Sequence, residues 1–267
     1  MSKKYELLRQ NPYNDLYQIR ALRDFGNVRA GEDGGWIHSE RDLSHNGNCW
    51  IHRFAHVCGD AVISDNALIC DDVRIYDSVQ ISENACIRDE AKIFDYARIA
   101  GNAVIEDRVV IHDRARIDGN AKISKRSSVE GDVWIGGDAV VAEQQTIRFG
   151  TLTTDITKGQ NIEDSLRCQV GLSFNENDEV FCYKRVTPKL TSFYDPTFQY
   201  KVGEWAEVEN PDMSYEFCTS GLHFSYKGYW KTKKDTVDLL CRVKKEDIIT
   251  IQVGKIRAKR AFVIGVD

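Results

Sequence analysis

The sequence lacks the features that mark membrane, secreted and zinc-finger proteins. None of its hydrophobic stretches approaches the run of about 18 apolar residues that spans a membrane. The N-terminal stretch is charged from the outset and has no apolar core of the signal-peptide kind. Eight cysteines are present, but no two form a CxxC pair, which argues against a zinc site of the usual kind. We therefore expect a cytoplasmic protein with free thiols and no membrane partner.

The sequence also lacks a strong overall charge. The net charge is −5 over 267 residues, which does not suggest a nucleic-acid partner. One segment departs from this balance, because residues 227–260 hold 11 basic and 4 acidic residues. Two interpretations of that segment stay open: an ordinary solvated surface, or a patch that binds an anionic partner.

What the sequence does contain is a repeat of six residues. From Ile51 to Ile147 every sixth residue is Ile or Val, through seventeen positions without a miss. A small or β-branched residue precedes each of them by two positions, and only the last such position, Gln145, departs from this rule. A spacing of six fits neither a helix, which favours 3, 4 and 7, nor the alternation of a long strand.

A short strand followed by a tight corner explains the six-residue unit. Side chains two apart on a strand point to the same side, so the aliphatic and the small residue both point inward. The corner needs residues that tolerate positive φ, and Gly, Asn and Asp follow the aliphatics, as at Gly101 and Asn102. A second period of 18 relates asparagines along the chain: Asn66, Asn84, Asn102 and Asn120. Eighteen is three sixes, which indicates three flat faces per coil.

This pattern resembles the hexapeptide-repeat left-handed parallel β-helix. We predict a mainly β fold, with between five and six coils over residues 49–150, followed by a small α+β domain. The left hand is implied by the resemblance, since ordinary crossovers are right-handed. A β-sandwich is the alternative, but it would not keep an exact phase through a hundred or so residues.

A cap over residues 1–48 is expected, because an open β-helix end would pair with other chains. Its sequence from Tyr13 to Phe25 has a weak helical or mixed pattern. The following residues, from Gly34 to Trp50, resemble bacterial and phage-borne hexapeptide proteins through a shared "GGWI…S-E…LS…GNCW" pattern. Members of that group are often called transferases because of their fold.

The six-residue phase stops after Ile147. We predict a linker or irregular last coil over 151–167 and a small α+β domain over 168–267. The motifs "YKVGEW", "CTSGLHF" and "KIRAKRAFVIG" of this region resemble a C-terminal module found behind phage pentapeptide-repeat proteins, for which no activity is assigned.

Known hexapeptide-repeat enzymes are mostly trimeric acyltransferases that bind CoA between neighbouring prisms. In such enzymes a histidine acts as general base, on a coil or on an extruded loop. The unbroken phase from 51 to 147 excludes an extruded loop, which leaves His112 as the candidate catalytic base. The alternative is that His112 only caps a ladder of stacked rings with Tyr76 and Phe94.

Outward cations form the candidate ligand-binding set. Arg74 and Lys92 lie one coil apart on one face, and Arg98 and Arg116 lie one coil apart on another. Stacked like charges repel unless something neutralises them, either neighbouring aspartates or a bound phosphate or carboxylate. The predicted ligand-binding residues combine these cations with the residues near His112: Arg74, Lys92, Arg98, Arg114, Arg116, Tyr76 and Phe94.

No metal site is predicted. The γ-class carbonic anhydrases share this fold and hold zinc with three histidines, but His52 and His56 lie about three coils from His112. In the second domain, Cys218 and His223 match no nucleophile–base signature, and a structural role is favoured for both.

The leading functional hypothesis is a non-catalytic trimeric scaffold that binds a small anionic ligand. If it is phage-encoded, that ligand is a host signalling nucleotide and its location is the host cytoplasm. No cofactor is expected under this hypothesis. The alternative is a CoA-dependent O- or N-acyltransferase, for which CoA or acyl-CoA is required. The homotrimer is inferred from a largely apolar outward column, which includes Leu68, Val104 and Val140.

Overall fold

The computed structural model describes residues 3–11, 15–156, 161–214, 219–230, 235–252 and 254–267. The chain groups into two compact units. The first comprises 1–145 and 150–155, and the second comprises 146–149 and 156–267. Within the described ranges, no helix combines the length and the apolar character that a membrane span requires.

The first unit is a parallel β-helix built from two-residue strands on three faces. Face 1 contains Trp50–Ile51, Leu68–Ile69, Cys86–Ile87, Val104–Ile105, Lys122–Ile123 and Val140–Val141. Face 2 contains His56–Val57, Arg74–Ile75, Lys92–Ile93, Val110–Ile111 and Ser128–Val129. Face 3 contains Val62–Ile63, Gln80–Ile81, Arg98–Ile99, Arg116–Ile117, Trp134–Ile135 and Thr151–Leu152. Each strand pairs in parallel with the strand 18 residues away, as Ile87 pairs with Ile69 and Ile105.

The inward phase of the repeat forms the core of this unit. The repeating aliphatics are at most 1% exposed, and the small residues two positions earlier are buried as well. The residue between them points outward. Ala85 and Ile87 are fully buried, for example, while Cys86 between them is only half-buried. This alternation is that of a β-strand, repeated once per six residues.

Carboxylates stabilise the corners between faces. Asp71, Asp89 and Asp107 all have positive φ, between 51° and 63°. The Asp71 carboxylate accepts the backbone N–H of Asp89 at 3.2 Å, and the Asp89 carboxylate accepts that of Asp107 at 2.8 Å. Aspartate suits this position because it tolerates the left-handed region and supplies an acceptor to the next coil.

A ladder of side-chain amides runs along a second corner. Asn66 donates to Asn84 at 3.1 Å, Asn84 to Asn102 at 3.1 Å, and Asn102 to Asn120 at 2.9 Å. The asparagine period read from the sequence therefore corresponds to hydrogen-bonded stacking between successive coils.

An antiparallel sheet precedes the coils. Its strands are Tyr5–Gln10, Tyr17–Ala21 and Asp33–Ile37. The third strand joins face 2 through parallel pairing of Trp36 with His56. The stretch whose sequence pattern is helical or mixed thus contains a strand, because pairing with its neighbours overrides local propensity.

Close packing explains the two glycines that open this approach to the coils. A Cβ on Gly34 would lie 2.6 Å from side-chain atoms of Ile19 and Trp50, and a Cβ on Gly35 would lie 2.5 Å from the carbonyl oxygen of His52. Any side chain at either position would require the backbone to move. Nearby, Lys4 is fully buried and donates from Nζ to the carbonyl oxygen of the cysteine at position 49, at 2.9 Å.

The second unit consists mainly of two antiparallel sheets. The four-stranded sheet has the order Glu179–Val186, Val237–Lys244, Arg260–Val266 and Trp205–Glu207. The three-stranded sheet has the order Leu222–Phe224, Lys255–Ala258 and Ile248–Gln252. The remaining elements are the Thr146–Ile147 strand, the helix Ile162–Ser165, a π-helical turn Leu166–Val170 and a 3₁₀ turn Lys245–Asp247. Apolar side chains from both sheets, including Val180, Phe224 and Ile256, form its core.

The predicted fold class is confirmed: the chain is mainly β, a parallel β-helix of about six coils, followed by a small antiparallel-sheet domain with few helical residues. The left hand of the coils stays an expectation of the resemblance. The predicted domain limits likewise stay predictions.

Substitutions of Asp89 test the corner ladder. Asn retains both the tolerance of positive φ and an acceptor, so we expect a loss of stability under about 1 kcal/mol. Gly retains only the backbone freedom, and we expect a loss of about 0.5–1.5 kcal/mol. Ala retains neither and is expected to cost about 1–3 kcal/mol. Urea melts of the three variants measure the order.

Asp60→Ala is the matched control, because Asp60 is exposed and follows the corner position by one residue. It is expected to change stability by less than about 0.5 kcal/mol. Equal losses for Asp89→Asn and Asp89→Ala would contradict the proposed role of the corner carboxylates.

Candidate functional site

The histidine cluster lies at the corner between faces 2 and 3. We use this name for Asp95, His112, Asp113 and Glu130. His112 directly follows the Val110–Ile111 strand, and Asp113 is the next residue at the corner, with φ of 58°. Asp95 occupies the same corner position one coil earlier, and Glu130 occupies the position of His112 one coil later. The parallel register between coils therefore brings the four side chains together.

Both imidazole nitrogens of His112 face carboxylates. Nδ1 lies 3.0 Å from an Asp113 oxygen and 4.0 Å from an Asp95 oxygen, and Nε2 lies 3.4 Å from a Glu130 oxygen. The His112 side chain is 22% exposed, so the ring is partly covered but still reachable. A carboxylate close to one ring nitrogen fixes the orientation of an imidazole and favours one tautomer.

The ring is also held by stacking. The His112 and Phe94 ring centroids are 4.9 Å apart and their planes differ by 1°. The two aspartates are held by the backbone, because Asp95 accepts the N–H of Asp113 at 3.0 Å and Asp113 accepts the N–H of Gly131 at 2.8 Å. The cluster is thus preorganised on the rigid coil.

This arrangement is suited to two kinds of chemistry. A histidine oriented by a carboxylate can act as a general base, provided that its second nitrogen reaches the substrate. Alternatively, one ligand atom each from Asp95, His112 and Asp113 lie within 4.8 Å of one another, close enough to share a metal ion. The expectation of no metal stays a prediction, and the aspartates also serve as ordinary corner residues.

The predicted cations on face 2 are arranged as expected, but one of them has protein partners. Arg74 and Lys92 are register neighbours in the sheet. The Arg74 guanidinium donates to the carbonyl oxygens of Phe54 at 2.8 Å and Val73 at 3.1 Å, and it lies 3.5 Å from Asp72. Lys92 is exposed. Protein acceptors therefore already offset the Arg74 charge.

Face 3 presents the second cation pair. Arg98 and Arg116 are register neighbours and both are exposed. Trp134 is the next residue in this column, 41% exposed, and its indole nitrogen donates to Asp118 at 2.8 Å. Within the described part of the chain, neither arginine has an ion-pair or hydrogen-bond partner. Two free guanidinium groups beside an aromatic ring suit an anionic group attached to a flat ring system.

The other two predicted ligand-binding residues are also near the corner. Arg114 is exposed, directly after the histidine cluster, and Tyr76 is 38% exposed one coil before Phe94. The structure thus groups His112 and Phe94 tightly, while Arg98 and Arg116 lie apart on face 3 and Arg74 is bound to the backbone.

Sequence reasoning did not assign Asp95, Glu130 or Trp134 to a site. The 18-residue period would have found the first two, because Glu130 is 18 residues after His112 and Asp95 is 18 before Asp113. The same period places Trp134 18 residues after Arg116. Of the second predicted pair, Cys218 lies outside the described residues, and His223 is in the second unit.

The comparisons with known proteins give one partial relative. No protein-family model matches the chain. A segment of 55 residues is 51% identical to an Escherichia coli (strain K12) protein named "Uncharacterized acetyltransferase YdcK". That segment is 20% of this chain and 17% of the relative, so the chain covers well under two thirds of the relative's length.

Proposed function

We propose that this protein is a CoA-dependent acyltransferase of the hexapeptide-repeat kind, with His112 as its general base. The observation that carries the proposal is the carboxylate–histidine pair on the coil, in which Asp113 lies 3.0 Å from His112 Nδ1. The partial relative named as an acetyltransferase supports the same reaction class. The proposal therefore reverses the preference for a non-catalytic scaffold, because the sequence did not reveal how closely the imidazole is held.

In the proposed reaction, Nε2 of His112 takes the proton from an acceptor hydroxyl or amine. The acceptor oxygen or nitrogen attacks the thioester carbonyl carbon, the C–S bond breaks, and the proton passes to the CoA sulfur. Asp113 keeps Nδ1 protonated throughout. The Glu130 carboxylate, 3.4 Å from Nε2, occupies the place where the acceptor would enter, and its side chain would move aside on binding.

The exposed arginines offer a place for the CoA phosphates. Arg98, Arg114 and Arg116 are exposed on face 3 and at the corner that carries His112. Guanidinium groups suit phosphate because they donate two parallel hydrogen bonds. In this proposal the acyl end lies at the histidine cluster and the nucleotide end on face 3. The reaction would take place in the cytoplasm, where the seven described cysteines, all free thiols, stay reduced.

The expected result of replacing His112 with Gln is a loss of acetyl transfer of about 100-fold or more in kcat, as for removal of a general base. CoA release from acetyl-CoA, measured with a panel of amine and hydroxyl acceptors, follows the reaction. Thermal stabilisation by acetyl-CoA should persist in the variant, since the nucleotide contacts remain.

His52→Gln is the matched control. His52 occupies the same position of the repeat at another corner, directly after the Trp50–Ile51 strand, and should not affect turnover. A wild-type protein that is neither stabilised by acetyl-CoA nor active on any acceptor would refute the acyltransferase proposal.

A second candidate function is supported by face 3 alone. Arg98, Arg116 and Trp134 form an exposed column that could bind a nucleotide without any chemistry, which is the scaffold hypothesis in its concrete form. A phage origin, with sequestration of a host signalling nucleotide, is one version of this candidate.

Fluorescence of Trp134 tests this candidate. ATP should quench the emission component that Trp134→Phe removes, and Arg116→Gln should weaken binding by roughly tenfold, as expected for one lost charge-assisted contact. Arg41→Gln is the control, because Arg41 is an exposed arginine of the cap. Quenching without any acetyl transfer favours the binding protein, and absence of quenching by ATP and by CoA excludes it.

We further propose that the active form is a homotrimer whose contacts use face 1. Leu68, Val104 and Val140 are half-buried residues of one column, with Cys86 and Lys122 between them. Val104→Asp would place a charge in this column and should dissociate the assembly. Static light scattering at micromolar concentration measures the mass, and a monomeric wild-type protein contradicts the proposal.

A further inference from the structure

A lysine lies in the apolar core of the second unit. Lys184 is on the Glu179–Val186 strand, where it alternates inward with Val180, Cys182 and Val186. It is 7% exposed, and its register neighbour Leu239 is fully buried. An aliphatic side chain would be expected at such a position, because burying an ammonium group without a counter-charge strongly opposes folding.

Lys184 has no acceptor of its own in the protein. Throughout the described ranges, no oxygen lies within hydrogen-bond or ion-pair distance of its Nζ. The contact that it does make is with the ring of Tyr200, whose centroid is 6.0 Å from Nζ. Burial lowers the pKa of Lys184 to about 8, with a smaller opposing contribution from Cys241 and a further lowering by Lys255. The amine is therefore still mostly protonated at neutral pH.

Three more basic residues share one face of the three-stranded sheet. His223 and Arg257 are directly opposite each other in the antiparallel register, and Lys255 is two residues before Arg257, on the same side of its strand. Burial, followed by the charges of Lys184, Lys255 and Arg257, lowers the pKa of His223 to about 4. His223 thus senses all three cations, including Lys184 from the other sheet.

The acidic groups near this cluster belong to other residues. Asp212 acts on Arg257, whose guanidinium also donates to the carbonyl oxygen of Ser214. The Cys241 thiol is near Lys184, but burial raises its pKa to about 12, which keeps it neutral. No described carboxylate pairs with Lys184, so its charge has no permanent counter-charge.

We infer that Lys184, His223 and Lys255 form a binding site for an oxyanion, the phosphate or carboxylate group of a small ligand. Such a group would supply the missing acceptor for the Lys184 ammonium and would make charge-assisted hydrogen bonds with its neighbours. The site lies entirely within the second unit and is independent of the acyltransferase proposal. It gives this domain a binding function that does not depend on the coils.

The imidazole of His223 reports on the site. A bound anion stabilises the protonated ring, so inorganic phosphate should raise the pKa of His223 by about one unit or more. An NMR titration of the histidine Cε1–H signals measures this, with the His223 signal assigned from a His223→Gln variant. Sodium chloride at matched ionic strength controls for screening, and acetate tests whether a carboxylate replaces phosphate.

Two variants separate the site from general charge effects. Lys184→Met removes the ammonium at similar volume, and it should raise the pKa of His223 without ligand and abolish the response to phosphate. Lys201→Met is the matched control, because Lys201 is exposed in the same unit, and the response should persist. Acetate matching phosphate assigns a carboxylate-tolerant site, and phosphate alone acting assigns a phosphate site. An equal effect of chloride and both oxyanions, or a full phosphate response in Lys184→Met, overturns the inference.

Discussion

The hydrogen-bond ladder that joins each residue to the one about 18 positions later is the constraint on which the first unit depends. The N–H of Cys86 donates to the carbonyl of Ala103, and that of Val104 donates to Ala121, each at 2.9 Å. Two-residue strands cannot be stable alone, so every coil depends on its neighbours for its backbone hydrogen bonds. The corner carboxylates extend this dependence, because a residue such as Asp89 both turns the chain and accepts an N–H from the next coil.

The same constraint determines what sites the coils can form. Outward side chains can meet only along a column or across a corner, since no extruded loop brings distant residues together. The histidine cluster follows this rule: Phe94, His112 and Glu130 belong to one column, and Asp95 and Asp113 to the adjacent corner column. A cluster of this kind is rigid before any ligand arrives, which favours orientation-dependent chemistry over induced fit.

The second unit obeys different rules. Its antiparallel sheets bury one face against the other, so an inward position on Glu179–Val186 should be apolar. Lys184 breaks this pattern without any protein partner, whereas buried Asp247 in the same unit is satisfied by Arg260 and Lys259. The contrast distinguishes a structural buried charge from one that is available to a ligand.

The sequence by itself determined the parallel coils, their inward aliphatics and their corners, because a period of six with a superperiod of 18 admits one regular backbone solution. It also selected His112, and the 18-residue period would have added Asp95 and Glu130. Other features were decided by tertiary structure alone. The Tyr17–Ala21 strand formed because neighbouring strands could pair with it, and Arg74 turned to the Phe54 carbonyl because that acceptor lies within reach of its side chain. Lys184 and His223 are far apart in sequence, and no periodicity relates them. Only the packing of two non-periodic sheets brings their charges close enough to interact.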